Sequence, residues 1–519
     1  MKKSLAIIIL ACLVAIPYLS TLKYGFLFDD YHLIIKNNNL STLSDFKHYF
    51  VETHHWQKGH ANYYRPMMYS SLMLNHLISG KEAWSYHLFN IIINLLVSFL
   101  VFLIAKNIFK TIGSTNYYKI AALAAILFAI HPLHTEVVTN IAGRADSMTT
   151  FWILLGVVLS AKAYKGNFVA GVLVGICALA AGLTKETGFL IMPVILLYYF
   201  LFSKNSTIKS SRKLTAWISG TLGTLLSAGM YISAMNAAPK IKSISYLDNF
   251  CAYIPIDQRV KTAVYLFGRS IKLLFIPFPL SSDYSFAQIT PQLSFFNFYS
   301  AIAIITISCG LLWAWKKPNS QSKKITEFAV LWFVLCYIFS SNLFFPIGTV
   351  FGERLLYLAS VGFCIAVSWW IFQIKFRWLR LTVISLITSI FFFLTIIRNF
   401  DWENSEQFYD AMIRSAPKSA KAHFAAANRS IDNKNFNLAT KYLNNSLAIF
   451  PAFPEAHGLL SKVFLYEKNY SNAFVEAVRA IRLNPNVPLA HYTLSQVYNK
   501  RGEKEKAKKH YKFAKELLE

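Results

Sequence analysis

Residues Ser85 to Ala105 read SYHLFNIIINLLVSFLVFLIA, and Lys106 and Lys110 follow at once. An apolar run of this length, closed by two lysines, is that of a helix crossing hydrocarbon, since a bilayer core needs roughly 20 such residues. The closing lysines mark the end retained on the cytoplasmic side. Working outward, similar runs flanked by Lys or Arg lie near 4–22, 119–133, 147–162, 168–183, 188–203, 214–235, 297–315, 326–345, 355–373 and 380–397. The expected architecture is all-α, with about eleven transmembrane helices.

The composition agrees: 519 residues with 55% hydrophobic, 16% aromatic and 15% charged content do not make a soluble globule. A formal net charge of +27 is the kind of excess that nucleic-acid binders carry, but many of the cations sit in short loops between apolar runs. The loops with Lys106 and Lys110, Lys162 and Lys165, Lys204 to Lys213, Lys316 to Lys324, and Lys375 to Arg380 contain no Asp or Glu and alternate as cytoplasmic. That is topology charge, and no nucleic acid partner is expected. The N-terminus is then inside and the C-terminal region outside. Five of the six cysteines lie in apolar runs and no CxxC is present, which leaves no disulfide framework. Met1-Lys2-Lys3 before Leu5 to Leu19 resembles a signal peptide, but without a clear small-residue cleavage site it reads as a retained span. Two outer loops are long, Lys23 to about Trp84 and Asn236 to Phe296. Within the second, Val260 to Phe278 is interrupted by Arg269 and Lys272 and reads as an interfacial helix on the outer leaflet.

After about residue 400 the chain turns soluble in character. Pro417, Pro451 and Pro485 recur at steps of 34, as do Ala422-His423, Ala456-His457 and Ala490-His491, and Ala439, Ala473 and Ala507. A 34-residue period with small residues at helix crossings resembles the tetratricopeptide repeat, here in about three copies over 401–519. Its repeated histidines read as packing positions, since no acid or Cys recurs beside them.

The residues able to do chemistry fall on the expected outer side. Asp29 and Asp30, in Phe28-Asp29-Asp30, are adjacent carboxylates just past a span, able to act as a general base, to hold a divalent cation, or simply to cap a helix. His131 to Ser147 reads HPLHTEVVTNIAGRADS, and a helix there would put Glu136, Asn140 and Arg144 on a polar stripe. That stripe would line a polar cavity, with Arg144 forking a phosphate. Lys185-Glu186 and Glu353-Arg354 each place an acid beside a cation at an outer span edge, and Arg65 is a further outer cation. Carboxylates for proton removal, cations for an anion, and greasy surroundings suit sugar transfer from a lipid phosphate to a hydroxyl.

Phe28-Asp29-Asp30, Tyr64-Arg65-Pro66, His131 to Ser147, Thr184-Lys185-Glu186 and Gly352 to Leu358 (GERLLYL) together resemble the transmembrane-and-tetratricopeptide family of O-mannosyltransferase-like proteins, within the GT-C class of integral-membrane glycosyltransferases. The resemblance runs over nearly the whole chain. It implies a GT-C-like membrane domain over 1–400 and an inverting transfer of a monosaccharide, mannose in the family's name, from a polyprenyl phosphate. Asp29 or Asp30 would be the catalytic base. Arg65, His131, His134, Glu136, Arg144, Asp146, Lys185, Glu186, Glu353 and Arg354 would form the donor and acceptor pocket. The acceptor would be a protein or glycan held by the repeats. A Lys-, Asn- and Ile-rich composition suggests a bacterial source, an inner-membrane location and periplasmic repeats. Two other readings are a membrane-anchored scaffold without catalysis and a lipid or solute transporter. Anchoring needs only one span, and a transporter favours charges at mid-span rather than at the edges.

Overall fold

A computed structural model describes residues 14–40, 46–51, 54–55, 62–202, 210–238, 244–316 and 320–518. The start of the expected first span, Lys204 to Lys209 and Lys317 lie outside them. Nearly every apolar run forms a helix. The longer ones are α1 (Pro66–Ser79), α2 (Trp84–Thr111), α3 (Tyr117–Ala129), α4 (Arg144–Ala163), α5 (Phe168–Thr184), α6 (Ile191–Phe202), α7 (Ser210–Ala237), α8 (Ile256–Phe275), α9 (Phe298–Lys316), α10 (Gln321–Tyr337), α11 (Ser360–Phe372) and α12 (Arg377–Phe400). Apart from a two-residue antiparallel pairing of His54–His55 with Asn62–Tyr63, the described residues are helical or irregular.

Among the described residues, α2 and α12 are long and apolar enough to cross a membrane. α3 and Pro132–Val138 pass the same length and composition test only when taken together, and they are bent by 48° at the break between them. In the most apolar stretch of α12 only 11% is buried within the protein, so its outward face needs hydrocarbon rather than water around it. A single apolar core draws on α2 to α6 and α10 to α12. α5 and α7 cross closely because glycines meet there: a Cβ on Gly223 would stand 2.2 Å from the Gly175 carbonyl oxygen. Ser219 Oγ also donates to the Gly171 carbonyl at 2.5 Å. This is the small-residue packing by which helices associate in lipid. α8 is amphipathic, burying Thr262, Ala263, Leu266, Gly268, Ser270, Leu273 and Leu274 on one face.

From Ser405 onward the chain is a run of antiparallel helices: α13 (Ser405–Ser415), α14 (Ala420–Asp432), α15 (Phe436–Ile449), α16 (Pro454–Tyr466), α17 (Tyr470–Leu483), α18 (Pro488–Lys500) and α19 (Lys504–Leu518). Helix starts recur at the 34-residue step read from the sequence. So do the histidine bonds, with Nε2 of His423, His457 and His491 at 3.0, 2.9 and 2.9 Å from the carbonyls of Pro417, Pro451 and Pro485. Each histidine ties its own helix to the end of the preceding one. His457 also has an acidic partner, Glu476, at 2.5 Å, which the sequence reading did not anticipate.

One expectation fails locally. His131 to Asp146 is not one helix: it breaks into 3-10 turns at Pro132–His134 and Ile141–Gly143 around a single turn at Thr135–Val138. The side chains of His131 and Asn140 accept from the backbone N–H two residues on, capping each new turn. These local bonds compete with helix continuation. The expected stripe of Glu136, Asn140 and Arg144 therefore does not exist as a helix face.

Replacing Gly223 by Ala is expected to force α5 and α7 apart at a cost of about 1–3 kcal/mol. The thermal unfolding midpoint of the detergent-solubilised protein reads this directly; an unchanged midpoint would contradict the close crossing.

Candidate active site

The broken segment 131–146 presents its two ends differently. Arg144 is fully buried and points inward. Its Nη1 donates to Asn75 Oδ1 at 2.7 Å and Ser71 Oγ at 3.2 Å, its Nη2 to the Tyr86 carbonyl at 3.0 Å, and its Nε to the Ile141 carbonyl at 3.3 Å. The rings of Tyr86 and Phe89 flank it. A guanidinium so fully engaged is not a phosphate fork, and the sequence reading is corrected: Arg144 fastens α1 and α2 to the broken segment. His131 and His134 are likewise taken out of the pocket. His131 accepts from Leu133 N through Nδ1, so its Nε2 donates to the Leu274 carbonyl at 3.0 Å. His134 Nε2 lies 2.9 Å from Ser360 Oγ, which itself donates to the Tyr357 carbonyl. Both rings are wholly buried.

Glu136 faces the other way. Its carboxylate takes a bidentate grip on Arg354, from Nη1 at 2.8 Å and from the backbone N–H at 2.9 Å. Glu136 is 4% exposed and Arg354 37%, so the arginine turns its outer edge to an opening. Beside this pair Lys185 Nζ donates to Asp146 Oδ1 at 2.6 Å, and Arg65 Nη2 meets Glu186 at 3.0 Å while its guanidinium covers the Tyr63 ring. Burial lowers the Lys185 ammonium pKa, and the nearby Arg65 and Arg354 lower it further against the pull of Asp146. A recess between α4, α10 and the 353–358 turn is lined by Asp146, Thr149, Thr150, Ser340, Arg354 and Leu358.

The structure separates the two aspartates. Asp30 is buried, and its Oδ2 accepts from Leu27 N at 3.0 Å, closing the turn that precedes it. Asp29 is only half-buried, and among the described residues no donor bonds its carboxylate. Phe28, just before it, has a φ of 48°, a conformation that costs a non-glycine residue energy and is found at sites where geometry is imposed. Removal from water pushes the Asp29 carboxyl up to about 7, opposed by Arg354 and Lys421 and reinforced by Glu136. Glu353 is fully buried: its Oε1 accepts from Ser281 N at 2.5 Å and Tyr284 OH at 2.6 Å, and burial raises its pKa against the pull of Arg398. Asp29, Glu136, Asp146, Lys185 and Arg354 thus lie in one electrostatic neighbourhood, with Arg65 and Glu186 beside it. Among the described residues no three His, Cys, Asp or Glu side chains gather closely enough to hold a metal ion.

Sequence reading missed the supports. Asn90 Nδ2 donates to the carbonyls of Val138 and Asn140, Tyr357 OH donates to Asn94, and Thr139 donates to Asn399. Asparagines inside apolar helices were the available signal, since an amide in hydrocarbon needs a partner. Lys421 and Asp248, from distant segments, carried no such signal.

Residues 64–230 match a family described as dolichyl-phosphate-mannose-protein mannosyltransferase. The protein O-mannosyl-transferase TMTC3 of Mus musculus is 28% identical over 490 residues, covering 86% of this chain and 51% of that protein. The protein O-mannosyl-transferase F38B6.6 of Caenorhabditis elegans is 26% identical over 459 residues, covering 86% and 63%. The chain therefore spans between half and two thirds of the length of these relatives. The archaeal oligosaccharyltransferase AglB from Archaeoglobus fulgidus, solved with an inhibitory peptide and a dolichol-phosphate, has a TM-score of 0.39 and 15% identity, covering 77% of this chain and 57% of that one. At that score the likeness assigns neither fold nor ligand. The chain is an all-α integral membrane protein whose acids and cations collect where α4, α5 and the 353–358 turn meet. Over most of its length it is similar to proteins named protein O-mannosyl-transferases.

Arg144→Lys should cost about 3–5 kcal/mol, because buried acceptors lose their donors. The measurement is folded yield and unfolding midpoint in detergent, together with lipid-phosphate affinity of the surviving protein. A weakened affinity with normal stability would return Arg144 to the pocket.

Proposed function

We propose that the chain is an inverting GT-C glycosyltransferase that moves a monosaccharide, mannose by its relatives' names, from a polyprenyl phosphate to a protein hydroxyl on the extracytoplasmic face. The observation that carries this reading is the Asp29 carboxylate, unbonded and half-buried in the field of Arg354 and Lys421. A base with a pKa near 7 is matched to proton removal near neutral pH. The acceptor O–H gives its proton to Asp29 as its oxygen attacks the anomeric carbon. The bond from that carbon to the phosphate oxygen breaks on the opposite face, which inverts the centre. The departing polyprenyl phosphate gains one negative charge, and Arg354 and Lys185 are the cations placed to meet it, with Arg65 beyond. Glu136 and Asp146 hold those cations in place and keep them from being stranded near hydrocarbon.

The topology that fits is eleven crossings over residues 1–400, with the N-terminus cytoplasmic and tetratricopeptide repeats over 401–519 in the periplasm of a bacterial inner membrane. The repeats would hold the acceptor protein. The supports are alternating basic loops and the 34-residue step of the C-terminal helices.

Asp29→Asn should lower sugar transfer from a polyprenyl-phosphate donor in membranes by about 100-fold or more, the usual yield of a general base. Asp30→Asn keeps an oxygen for Leu27 N and should stay within about tenfold of the parent. Equal activity in both variants would overturn the assignment of the base. In the parent, rate should fall as pH drops below about 7, because the Asp29 carboxylate then takes up a proton. A flat profile between pH 5 and 8 would contradict it.

A further inference from the structure

The segment that carries Asp29, and two others that bond the stretch 350–353, are fastened to the C-terminal helices. Tyr24 and Leu27 share an apolar cluster with Trp402, Phe408, Met412 and Ala422, and the Phe28 and Phe408 ring centres lie 5.9 Å apart. The loop that bonds Glu353 is stitched to the α13–α14 connection: Ala287 N donates to the Lys418 carbonyl at 3.2 Å, and Ala420 N to the Phe286 carbonyl at 3.1 Å. Ser415 Oγ donates to Ser281 Oγ, and Ser285 Oγ lies against Ser419 Oγ, both at 2.9 Å. On α14, Lys421 pairs with Asp248, whose carbonyl takes the N–H of Val350, two residues before Gly352.

We propose that the α13–α14 hairpin is a wall of the transfer site, in which Phe408 positions the loop bearing Asp29 and Lys421 supplies a cation to the field Asp29 meets. The inference rests on Asp29 being the base. A recognition module hung on a flexible linker would leave the Asp29 loop unsupported, whereas here the strained Phe28 is backed by a ring from the hairpin. The groups facing Asp29 are Arg354 on the 353–358 turn, Lys421 on α14, Glu136 on the broken segment, Asp30 beside it and Tyr409 on α13. Lys421 itself faces Asp248 and Asp283 as well as Asp29. Loss of the Lys421 charge leaves Arg354 as the remaining cation among these and frees Asp248, so both changes disfavour the ionised carboxylate.

The test uses the full-length protein. Lys421→Met should move the acid limb of the rate–pH profile upward by about half a unit to one unit, as loss of an opposite charge favours the protonated carboxyl. Lys421→Arg should restore the limb, and Asp248→Asn should move it the other way. An unmoved limb in Lys421→Met would overturn the role of Lys421. Independently of turnover, Phe408→Ala should raise amide exchange of Asp30, His32 and Leu33 by about tenfold or more. Leu355 and Tyr357, bonded within their own turn, should stay protected, and Phe408→Leu should exchange as the parent. Unchanged exchange at 30–33 in Phe408→Ala would overturn the buttress, even if the parent transferred no sugar and the functional reading had failed separately.

Discussion

A carboxylate next to hydrocarbon is tolerable only if something positive or hydrogen-bonding meets it, and the Glu136–Arg354 pair is where this chain meets that demand most fully. Removing Arg354 would strand a Glu136 carboxylate that is 4% exposed, whereas the arginine, 37% exposed, keeps contact with its surroundings if Glu136 is lost. The pair joins residues 218 positions apart, with two contacts of 2.8 and 2.9 Å onto one carboxylate. The two elements carrying it must therefore arrive at the same level of the helical bundle. Lys185–Asp146 and Arg65–Glu186 repeat the solution nearby.

That constraint explains the irregular backbone. A continuous helix through His131 to Asp146 would carry Glu136 and Arg144 on related faces, and only one of them could reach a partner. Two 3-10 breaks send Arg144 into the crevice between α1 and α2 and Glu136 toward Arg354. Gly143 permits the fold-back, since a Cβ there would stand 2.6 Å from the Glu136 carbonyl oxygen. Asn90 on α2 then satisfies carbonyls that the breaks leave unbonded.

The all-α character and the positions of the helices were legible in the sequence because bilayer-length apolar runs and flanking lysines are one-dimensional signals. The 34-residue step was legible for the same reason, down to the histidines that bond the proline carbonyls. Side-chain direction was less so. His131, His134 and Arg144 carry the look of site residues, yet each is spent on holding helices together, and periodicity alone cannot tell a charge that faces a cavity from one that fills a crevice. Asp29 and Asp30 are equivalent on paper, and only the folded chain distinguishes them, by the Leu27 N–H bond and the deeper burial of Asp30. Lys421 was invisible for a further reason: its relation to Asp29 exists only once the C-terminal helices fold back onto the segments around residues 24–28 and 248.

The central claim is that Glu136 and Arg354 meet on the outer face of the membrane. Cysteines placed at both positions, treated in sealed right-side-out vesicles with a short membrane-impermeant thiol cross-linker, test it directly. The account predicts a cross-link formed from outside and none when reagent is confined to the cytoplasmic side. Labelling of the two cysteines from opposite compartments, or failure to link with both thiols reactive, would contradict it.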